Sequence, residues 1–184
     1  IPLRLVGSEM CIRDRILLIQ NETSGNEAAI RQAKAKGLQV AFNMAPMNAN
    51  ARALPLALID YFIINETEGE ALTGKTEPSE ICDAVLEQYP HSAVVLTLGP
   101  AGVLFRTAER NLSQPAYPVE TVDTTGAGDT FTGYFLATLM KTKQVELALQ
   151  TAAAAAALSV TQPGAATSIP TLHDVNQFLA TRAS

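Results

Sequence analysis

Residues 119–135 read VETVDTTGAGDTFTGYF, with a glycine-rich turn that leads straight into an apolar, helix-like segment. Asp129 stands at the junction, directly after Gly126, Ala127 and Gly128. Glycines let the backbone turn tightly and let a ligand approach without a Cβ in the way. Successive N–H groups at a helix start converge on one point, with the positive end of the helix dipole behind them. The turn therefore predicts an oxyanion site with a carboxylate at its rim.

That carboxylate suggests phosphoryl transfer. Asp129 can take the proton from an attacking hydroxyl while the backbone amides hold the transferring group, and general base catalysis of this kind contributes about 10²–10⁴-fold. The same residues are also compatible with a plain helix cap after a turn. They are not a dinucleotide-binding fingerprint, because Phe131 stands where the third glycine is needed, and no Gly-Lys-Ser/Thr of a P-loop follows.

Short apolar runs typical of buried strands alternate with helical patterns along the chain. We predict strands at 16–20, 38–45, 61–65, 93–99 and 102–107, and helices at 24–36, 66–74, 78–90, 128–141, 145–160 and 171–182. The first strand, ILLIQ, is expected to be buried on both faces. The alternation predicts an α/β fold with a doubly wound, mainly parallel sheet flanked by helices. Ligands bind such sheets at the carboxyl ends of the strands, here after Gln20, Ala45, Ile64 and Leu98.

Composition limits the classes of function. The 184 residues are 47% hydrophobic with a net charge of −5 and a sequence pI of about 5.0, which argues against nucleic acid as a partner. Cys11 and Cys82 are too few for a disulfide framework and lack metal-ligand spacing, so we predict a reducing cytoplasm. The apolar stretch Val145–Val160 is mostly alanine and too short to span a bilayer, and no membrane partner is expected.

The first fifteen residues, IPLRLVGSEMCIRDR, do not resemble the remainder. They lack an initiator methionine and the order of a secretion signal, and their apolar residues follow neither a strand nor a helix period. VGSEMCIRDR also looks like translated sequencing-adapter read-through. We therefore expect residues 1–15 to be non-native and 16–184 to be the native part, with a genuine irregular terminus as the alternative.

The longer string DTTGAGDTFTGYF closely resembles the second signature of the ribokinase-like, or PfkB, family of carbohydrate and nucleoside kinases. Further segments match bacterial ribokinases in the same order: QNET (20–23), NMAP (43–46), NETEGEALTG (65–74), TLGPAG (97–102) and AAAAAALSVTQPGAATSIP (152–170). The resemblance covers essentially all of 16–184. It implies ATP-dependent phosphorylation of a sugar hydroxyl, with Asp129 as the catalytic base and Gly126, Ala127 and Gly128 as the anion hole.

The resemblance also implies ligands for other residues. Asn65 and Glu68 would organise Mg²⁺ and phosphate through water, although NETE is equally a capping box. Glu22 and Asp129 would contact the sugar. The nucleotide would be lined by Asn65, Thr97, Leu98, Gly99, Pro100, Ala101, Gly102, Gly128 and Ala153. A monovalent cation, expected to be K⁺, would be held by Asp123, Thr125, Ser159, Gln162, Gly164 and Ser168.

Plain structural alternatives exist for several of these residues. The segment 97–102 also reads as a hairpin turn, QPGAATS as a surface loop, and Glu22 as a solvated side chain at a strand end. Ala153 falls where some relatives of this type carry a larger residue near adenine, which leaves the base contacts open.

The matched segments favour D-ribose as the acceptor, giving ribose 5-phosphate. Fructose, ketodeoxygluconate or a nucleoside is the alternative within the same kinase type. Members of the family carry an upstream Gly-Gly sugar-binding segment and a small β-sheet lid. The sequence has no Gly-Gly pair, so we expect a truncated protein without its lid, with little turnover, whose full-length form could dimerise through the lid. Two alternatives belong to other classes of function: a nucleotide-binding module without catalytic activity, and a Rossmann-type dehydrogenase.

Overall fold

The computed structural model describes residues 15–21, 24–45 and 48–182 as alternating strands and helices. Six strands are present in this part: β1 (Ile16–Gln20), β2 (Gln39–Asn43), β3 (Tyr61–Asn65), β4 (Ala93–Thr97), β5 (Val103–Arg106) and β6 (Asn111–Gln114). The helices are α1 (Asn26–Ala35), α2 (Ala49–Arg52), α3 (Glu66–Thr73), α4 (Pro78–Gln88), α5 (Ala127–Thr142), α6 (Val145–Ser159) and α7 (Leu172–Ala180). Short 3₁₀ turns occur at Leu56–Leu58 and Gly99–Ala101.

The strands form one sheet in the order β1-β2-β3-β4-β5-β6. The first four strands are parallel, and β5 and β6 are added antiparallel to them. In the parallel part Gln20 is paired with Asn43, and Asn65 with Thr97, so these strands end at one edge of the sheet. The predicted α/β fold with a mainly parallel sheet is confirmed.

Helices cover both faces of the sheet, as the predicted doubly wound arrangement requires. On one face Phe42 and Phe62 of the sheet pack in a cluster with Ile30 of α1 and with Ile81 and Val85 of α4. On the other face the sheet packs against α5 and α6, through residues such as Ile63, Val95, Phe105, Phe135 and Leu149. Successive strand residues thus point to opposite helix layers, which explains why these strands are continuously apolar.

Helix α6 has no polar face along its middle part. Ala148 and Ala152 pack in the cluster with α5 and the sheet, whereas Ala154 and Ala155 pack with Val175 of α7. Alanine lets neighbouring backbones approach closely, so a single helix can be enclosed from several directions. This accounts for the high alanine content of α6.

Two details differ from the sequence-based prediction. The strand β1 is not buried on both faces, since Leu18 is 41% exposed. Within the described residues β1 pairs along one side only, with β2, so it is an edge strand. The segment 108–122, for which no strand is predicted from the sequence, contains β6, which pairs with β5.

In the part of the chain that the structure describes, no helix has the length and apolar character to cross a membrane. Cys82 is buried with a free thiol, and burial raises its pKa to about 11. Cys11 and the rest of 1–14 lie outside the described residues, so the prediction of a non-native N-terminal segment stays a prediction.

Candidate active site

The glycine-rich turn lies where the sequence predicts it, at the start of α5. Gly126 adopts the left-handed conformation with φ 77°, and α5 begins at Ala127 without a side-chain cap. A Cβ on Gly126 would lie 3.2 Å from Ala165, so the turn is packed against the 160–168 loop. The first N–H groups of a helix have no partner within the helix. The N–H of Ala127 donates to the carbonyl of Thr124 over 3.2 Å, so the backbone donors that the start of α5 offers to a ligand are among the N–H groups that follow it.

A cleft of about 740 Å³ opens next to this turn. Its walls are the ends of β3 and β4, the turn after β4, the loop 116–121, the start of α5 and one face of α6. A volume of this size suits a nucleotide-sized ligand. The cleft lies at the carboxyl ends of the parallel strands, as expected for this class of sheet.

Seven of the nine residues predicted to line a nucleotide also line the cleft: Asn65, Thr97, Gly99, Pro100, Gly102, Gly128 and Ala153. Leu98 instead packs against the core cluster on the α4 side of the sheet. Ala101 is exposed and does not contribute to the walls of the cleft. Their assignment to nucleotide binding remains a prediction.

The segment 97–102 is a hairpin turn as well as a wall of the cleft. The N–H of Leu98 donates to the carbonyl of Gly102 over 2.8 Å, which closes the turn between β4 and β5. Gly102 has φ 106°, and a Cβ there would lie 2.2 Å from the carbonyl oxygen of Gln114 and 2.8 Å from Cα of Pro115. Only glycine fits at this position, because β6 and the residues after it approach the turn closely.

Asn65 and Glu68 form the predicted capping box at the start of α3. The Asn65 side chain accepts from the N–H of Glu68 over 2.9 Å, and the N–H of Asn65 donates to Oε2 of Glu68 over 3.0 Å. The Asn65 amide also donates to Oε1 of Glu68 over 3.1 Å. Glu68 is 7% exposed, and its carboxyl has a raised pKa. Burial is the larger effect and raises the pKa, whereas the bonds from Asn65 lower it by less.

This pair fits a water-mediated magnesium site. Mg²⁺ in nucleotide sites keeps several waters and uses one or two carboxylates together with phosphate oxygens. Asn65 lines the cleft with Glu68 directly behind it, and the described residues contain no group of three or more His, Cys, Asp or Glu that could hold a metal directly. A cation here would therefore depend on the bound phosphates.

Asp129 lies at the exposed rim of the turn, in the first turn of α5. Its Oδ1 accepts a hydrogen bond of 2.9 Å from the side-chain amide of Gln20, at the end of β1. The carboxylate thus lies between the cleft and the first strand. Glu22, the predicted sugar contact, follows Gln20 by two positions but lies outside the described residues.

Asp123 connects the segment before the turn to the 160–168 loop. Its Oδ2 accepts from the N–H of Gly164 and its Oδ1 from the N–H of Thr125, both over 2.9 Å. These bonds, with that from Gly164 the strongest, lower the pKa of Asp123 to about 2. The N–H of Val122 also donates to the carbonyl of Val160 over 2.7 Å. The structure therefore brings two of the predicted cation-binding segments together.

The other predicted cation ligands lie in the same loop region. Ser159 and Ser168 are buried, and their hydroxyls donate to the carbonyls of Ala156 and Ala165, each over 2.9 Å. The N–H of Gln162 donates to the carbonyl of Ser159 over 3.4 Å. QPGAATS is thus a loop held by internal hydrogen bonds, and its role in cation binding stays a prediction.

Two walls of the cleft were not predicted. Tyr117 and Pro118 form part of the loop wall, and the Tyr117 ring packs edge-on against Phe178 of α7 at 5.4 Å. The Arg182 guanidinium lies 4.2 Å from the Phe178 ring centre and donates to the carbonyl of Pro118 over 3.4 Å. These residues carry no chemical signature in the sequence.

The second wall is on α6, where the predicted Ala153 is joined by Ala156 and Ala157, and by Val160 just after the helix, none of which was predicted. Their spacing of three, one and three places them on one helical face. Because residues 152–157 are all alanine, the sequence does not distinguish this face of the helix from the faces buried against other elements.

Known proteins resemble this chain in sequence and in fold. The sequence model of the pfkB family carbohydrate kinases matches residues 9–172. The ribokinase of Haemophilus influenzae is 40% identical over 169 residues, which are 89% of this chain and 55% of the relative. The chain therefore spans about half the length of the curated relatives it matches.

Solved structures give the same result for the fold. The structure of Arabidopsis thaliana ribokinase complexed with ribose and ATP matches with a TM-score of 0.80 and 31% identity, over 93% of this chain and 58% of that one. A Vibrio cholerae fructokinase with fructose, ADP and calcium ion bound matches with a TM-score of 0.79 and 28% identity, over 89% of this chain and 60% of that one.

Proposed function

Because this chain belongs to the pfkB family of carbohydrate kinases, we propose that it carries the nucleotide-binding and catalytic part of an ATP-dependent sugar kinase. One observation carries the proposal. A cleft of about 740 Å³ is bounded on one side by Ala127 and Gly128, next to Asp129, and on the other by the Gly99–Gly102 turn. A phosphoryl group held at the start of α5 would lie within reach of the Asp129 carboxylate.

The reaction uses the residues in the following way. The primary hydroxyl of the sugar gives its proton to the carboxylate of Asp129, and its oxygen attacks the γ-phosphorus of ATP. The bond from the γ-phosphorus to the bridging oxygen breaks, and ADP leaves. The backbone amides of 126–128 stabilise the negative charge on the transferring group. A divalent cation bound with ATP would neutralise phosphate charge, and Asn65 and Glu68 would hold it through water.

D-ribose is the proposed acceptor, with a fructose-type sugar as the second candidate. The support is the similarity to ribokinases, one of which is solved with ribose and ATP, whereas a fructokinase with fructose has a similar fold. Glu22 is the proposed sugar contact. The proposed activating cation is K⁺, in the loop region around Asp123 and Gly164. The proposed setting is a reducing cytoplasm, with dimerisation of a longer form of the protein.

Thermal melting of the chain with and without Mg-ADP tests nucleotide binding. A ligand that binds only the folded state raises the free energy of unfolding, by about 2.7 kcal/mol at a hundredfold excess over Kd. The melting temperature rises as a result. We expect a rise with Mg-ADP that is larger in K⁺ than in Na⁺. No rise in a chain that melts cooperatively would contradict nucleotide binding in this cleft, and equal rises in both salts would contradict the cation site.

Transfer of phosphate from radiolabelled ATP to D-ribose, 2-deoxyribose and fructose tests the chemistry. We expect a low rate that Asp129→Asn reduces by about 10²–10⁴-fold, with the melting shift by Mg-ADP retained. Nucleotide binding without transfer to any sugar would instead favour the non-catalytic nucleotide-binding module. A Rossmann-type dehydrogenase is not supported, since the family match is to carbohydrate kinases.

A further inference from the structure

Gln20 joins the first strand to the catalytic turn across 109 positions of sequence. Its side-chain Nε2 donates to Oδ1 of Asp129 over 2.9 Å. The backbone of Gln20 is itself fixed, because it is paired with Asn43 in the sheet and its carbonyl accepts from the Asn26 side chain over 2.9 Å. The amide that reaches Asp129 is therefore carried by an anchored residue.

The hydrogen bond from Gln20 fixes the orientation of the Asp129 carboxylate but uses only one of its two oxygens. An ionised carboxylate has two oxygens and about four lone-pair positions, and the Gln20 amide uses one of them on Oδ1. Oδ2 remains for the hydroxyl of an acceptor. Rotation about the Cβ–Cγ bond of Asp129 would exchange the two oxygens, and the bond from Gln20 opposes that rotation.

The residue type suits this task. A glutamine amide donates a hydrogen bond but carries no charge and gives up no proton at neutral pH. A lysine or arginine in its place would pair with the carboxylate electrostatically and weaken it as a base. A second carboxylate would repel it.

We propose that Gln20 is a positioning residue for the general base of the reaction: it holds Oδ1 of Asp129 so that Oδ2 faces the hydroxyl of the sugar. This inference rests on the proposed function of Asp129. It gives the glutamine of the QNET segment a role separate from sugar binding by the neighbouring Glu22.

The kinetic test compares Gln20→Leu and Gln20→Glu with a matched control, Gln32→Leu, which changes an exposed glutamine on α1. Loss of a hydrogen bond to a charged group is expected to lower kcat for phosphate transfer to D-ribose at least about tenfold in Gln20→Leu. The KM for ATP should stay within about twofold, since the contact lies outside the nucleotide cleft. Gln20→Glu should be slower than Gln20→Leu, and Gln32→Leu should match the wild type.

A second measurement tests the contact itself without turnover. In ¹⁵N-labelled chain the side-chain amide signals of Gln20, assigned by their loss in Gln20→Leu, should move when Asp129 is changed to Ala. The Gln32 side-chain signals should stay in place and serve as the internal control. Both results together support the inference.

Three outcomes overturn it. Gln20 signals that ignore Asp129→Ala would show that the contact does not form. An unchanged kcat in Gln20→Leu, with or without a rise in the KM for ATP, would show that the contact does not serve the base. Absence of phosphate transfer by the wild-type chain would refute the proposed function and the role of Gln20 with it, while the NMR result would still show separately whether the contact exists.

Discussion

Two glycines in the walls of the cleft should respond to alanine in opposite ways. Gly128 is the second residue of α5, and a Cβ built on it meets no atom within 4 Å from the described residues outside its own helix turn. Gly102 has φ 106°, and a Cβ there would lie 2.2 Å from a backbone oxygen. Space beside Gly128 is therefore left free by the protein, whereas space beside Gly102 is occupied by it. Gly128→Ala thus perturbs the ligand, and Gly102→Ala perturbs the fold.

The magnitudes follow from these geometries. Alanine within a helix is more stable than glycine by about 0.5–1 kcal/mol, so Gly128→Ala should raise the melting temperature slightly or leave it unchanged. If a phosphate lies at the start of α5, the added methyl group crowds it and weakens the binding free energy by about 1–3 kcal/mol. That corresponds to a roughly 5- to 150-fold weaker Kd.

Gly102→Ala combines two penalties. The backbone conformation disfavours an L-residue by about 1–3 kcal/mol, and displacing the backbone of Gln114 and Pro115 adds about 1–3 kcal/mol. A chain of this size loses about 2–4 °C in melting temperature per kcal/mol, so the expected drop is roughly 5–20 °C.

Calorimetric titration with Mg-ADP and thermal melting followed by circular dichroism measure both effects on the same samples. ADP avoids turnover during the titration. A Gly128→Ala chain that binds Mg-ADP as tightly as wild type would refute the placement of phosphate at the start of α5. A Gly102→Ala chain that melts like wild type would refute the close approach of 114–116 to the hairpin turn.

Three further predictions concern stability. Phe135→Ala should lower the free energy of unfolding by about 3–5 kcal/mol in urea titrations, because Phe135 is 0% exposed and stacks on Phe131 at 6.0 Å; a loss below about 1 kcal/mol would contradict that packing. Thr130→Val should raise it by about 1 kcal/mol, since Thr130 is 3% exposed and its hydroxyl has no hydrogen-bond partner within the described part of the chain; a loss of stability would reveal a partner. Asp123→Asn should destabilise the chain at pH 7, where the ionised carboxylate accepts from Gly164. The pKa of Asp123 is lowered from 3.8 to about 2 in the folded state, so the stabilisation by its carboxylate is fully present above about pH 4 and is lost as pH falls through 2. The difference in unfolding free energy between wild type and Asp123→Asn, measured by urea titration, should therefore shrink across that range. A pH-independent difference would count against the bond to Gly164.

The parallel part of the sheet could be predicted closely from sequence. The bounds predicted for β1 and β3, 16–20 and 61–65, agree with the structure, because short apolar runs there are bounded by polar residues. The exposed face of β1 could not be predicted in this way. Exposure depends on which helices and strands lie beside it, and an apolar run is the same on a central strand and on an edge.

The strand β6 was missed for a related reason. NLSQ contains one apolar residue, Leu112, and its alternation is too weak over four residues to indicate a strand. Its consequence is large, because its last residue, Gln114, and the two residues after it make glycine necessary at position 102. The need for glycine at this position comes from a contact, which a local pattern does not contain.

The glycine-rich turn and the capping box were predictable, because each is made by residues close together in sequence. The contact from Gln20 to Asp129 is not local and has no signature in either segment. The cleft walls at Tyr117 and Pro118 likewise carry no chemistry that would single them out. The position of the proposed base could be predicted from the sequence, whereas the neutral side chains around it could not.

The alanine face of α6 limits how this cleft can change. Ala153, Ala156 and Ala157 already have nearly the smallest side chains, so almost every substitution there adds atoms to the cleft. The helix cannot retreat to make room, since Ala152 and Ala155 are fully buried against other elements. Along this wall, variation therefore runs in one direction, towards a narrower cleft and a more selective one. Room for a bulkier ligand has to come from another part of the lining, where Tyr117 has a side chain large enough to be reduced.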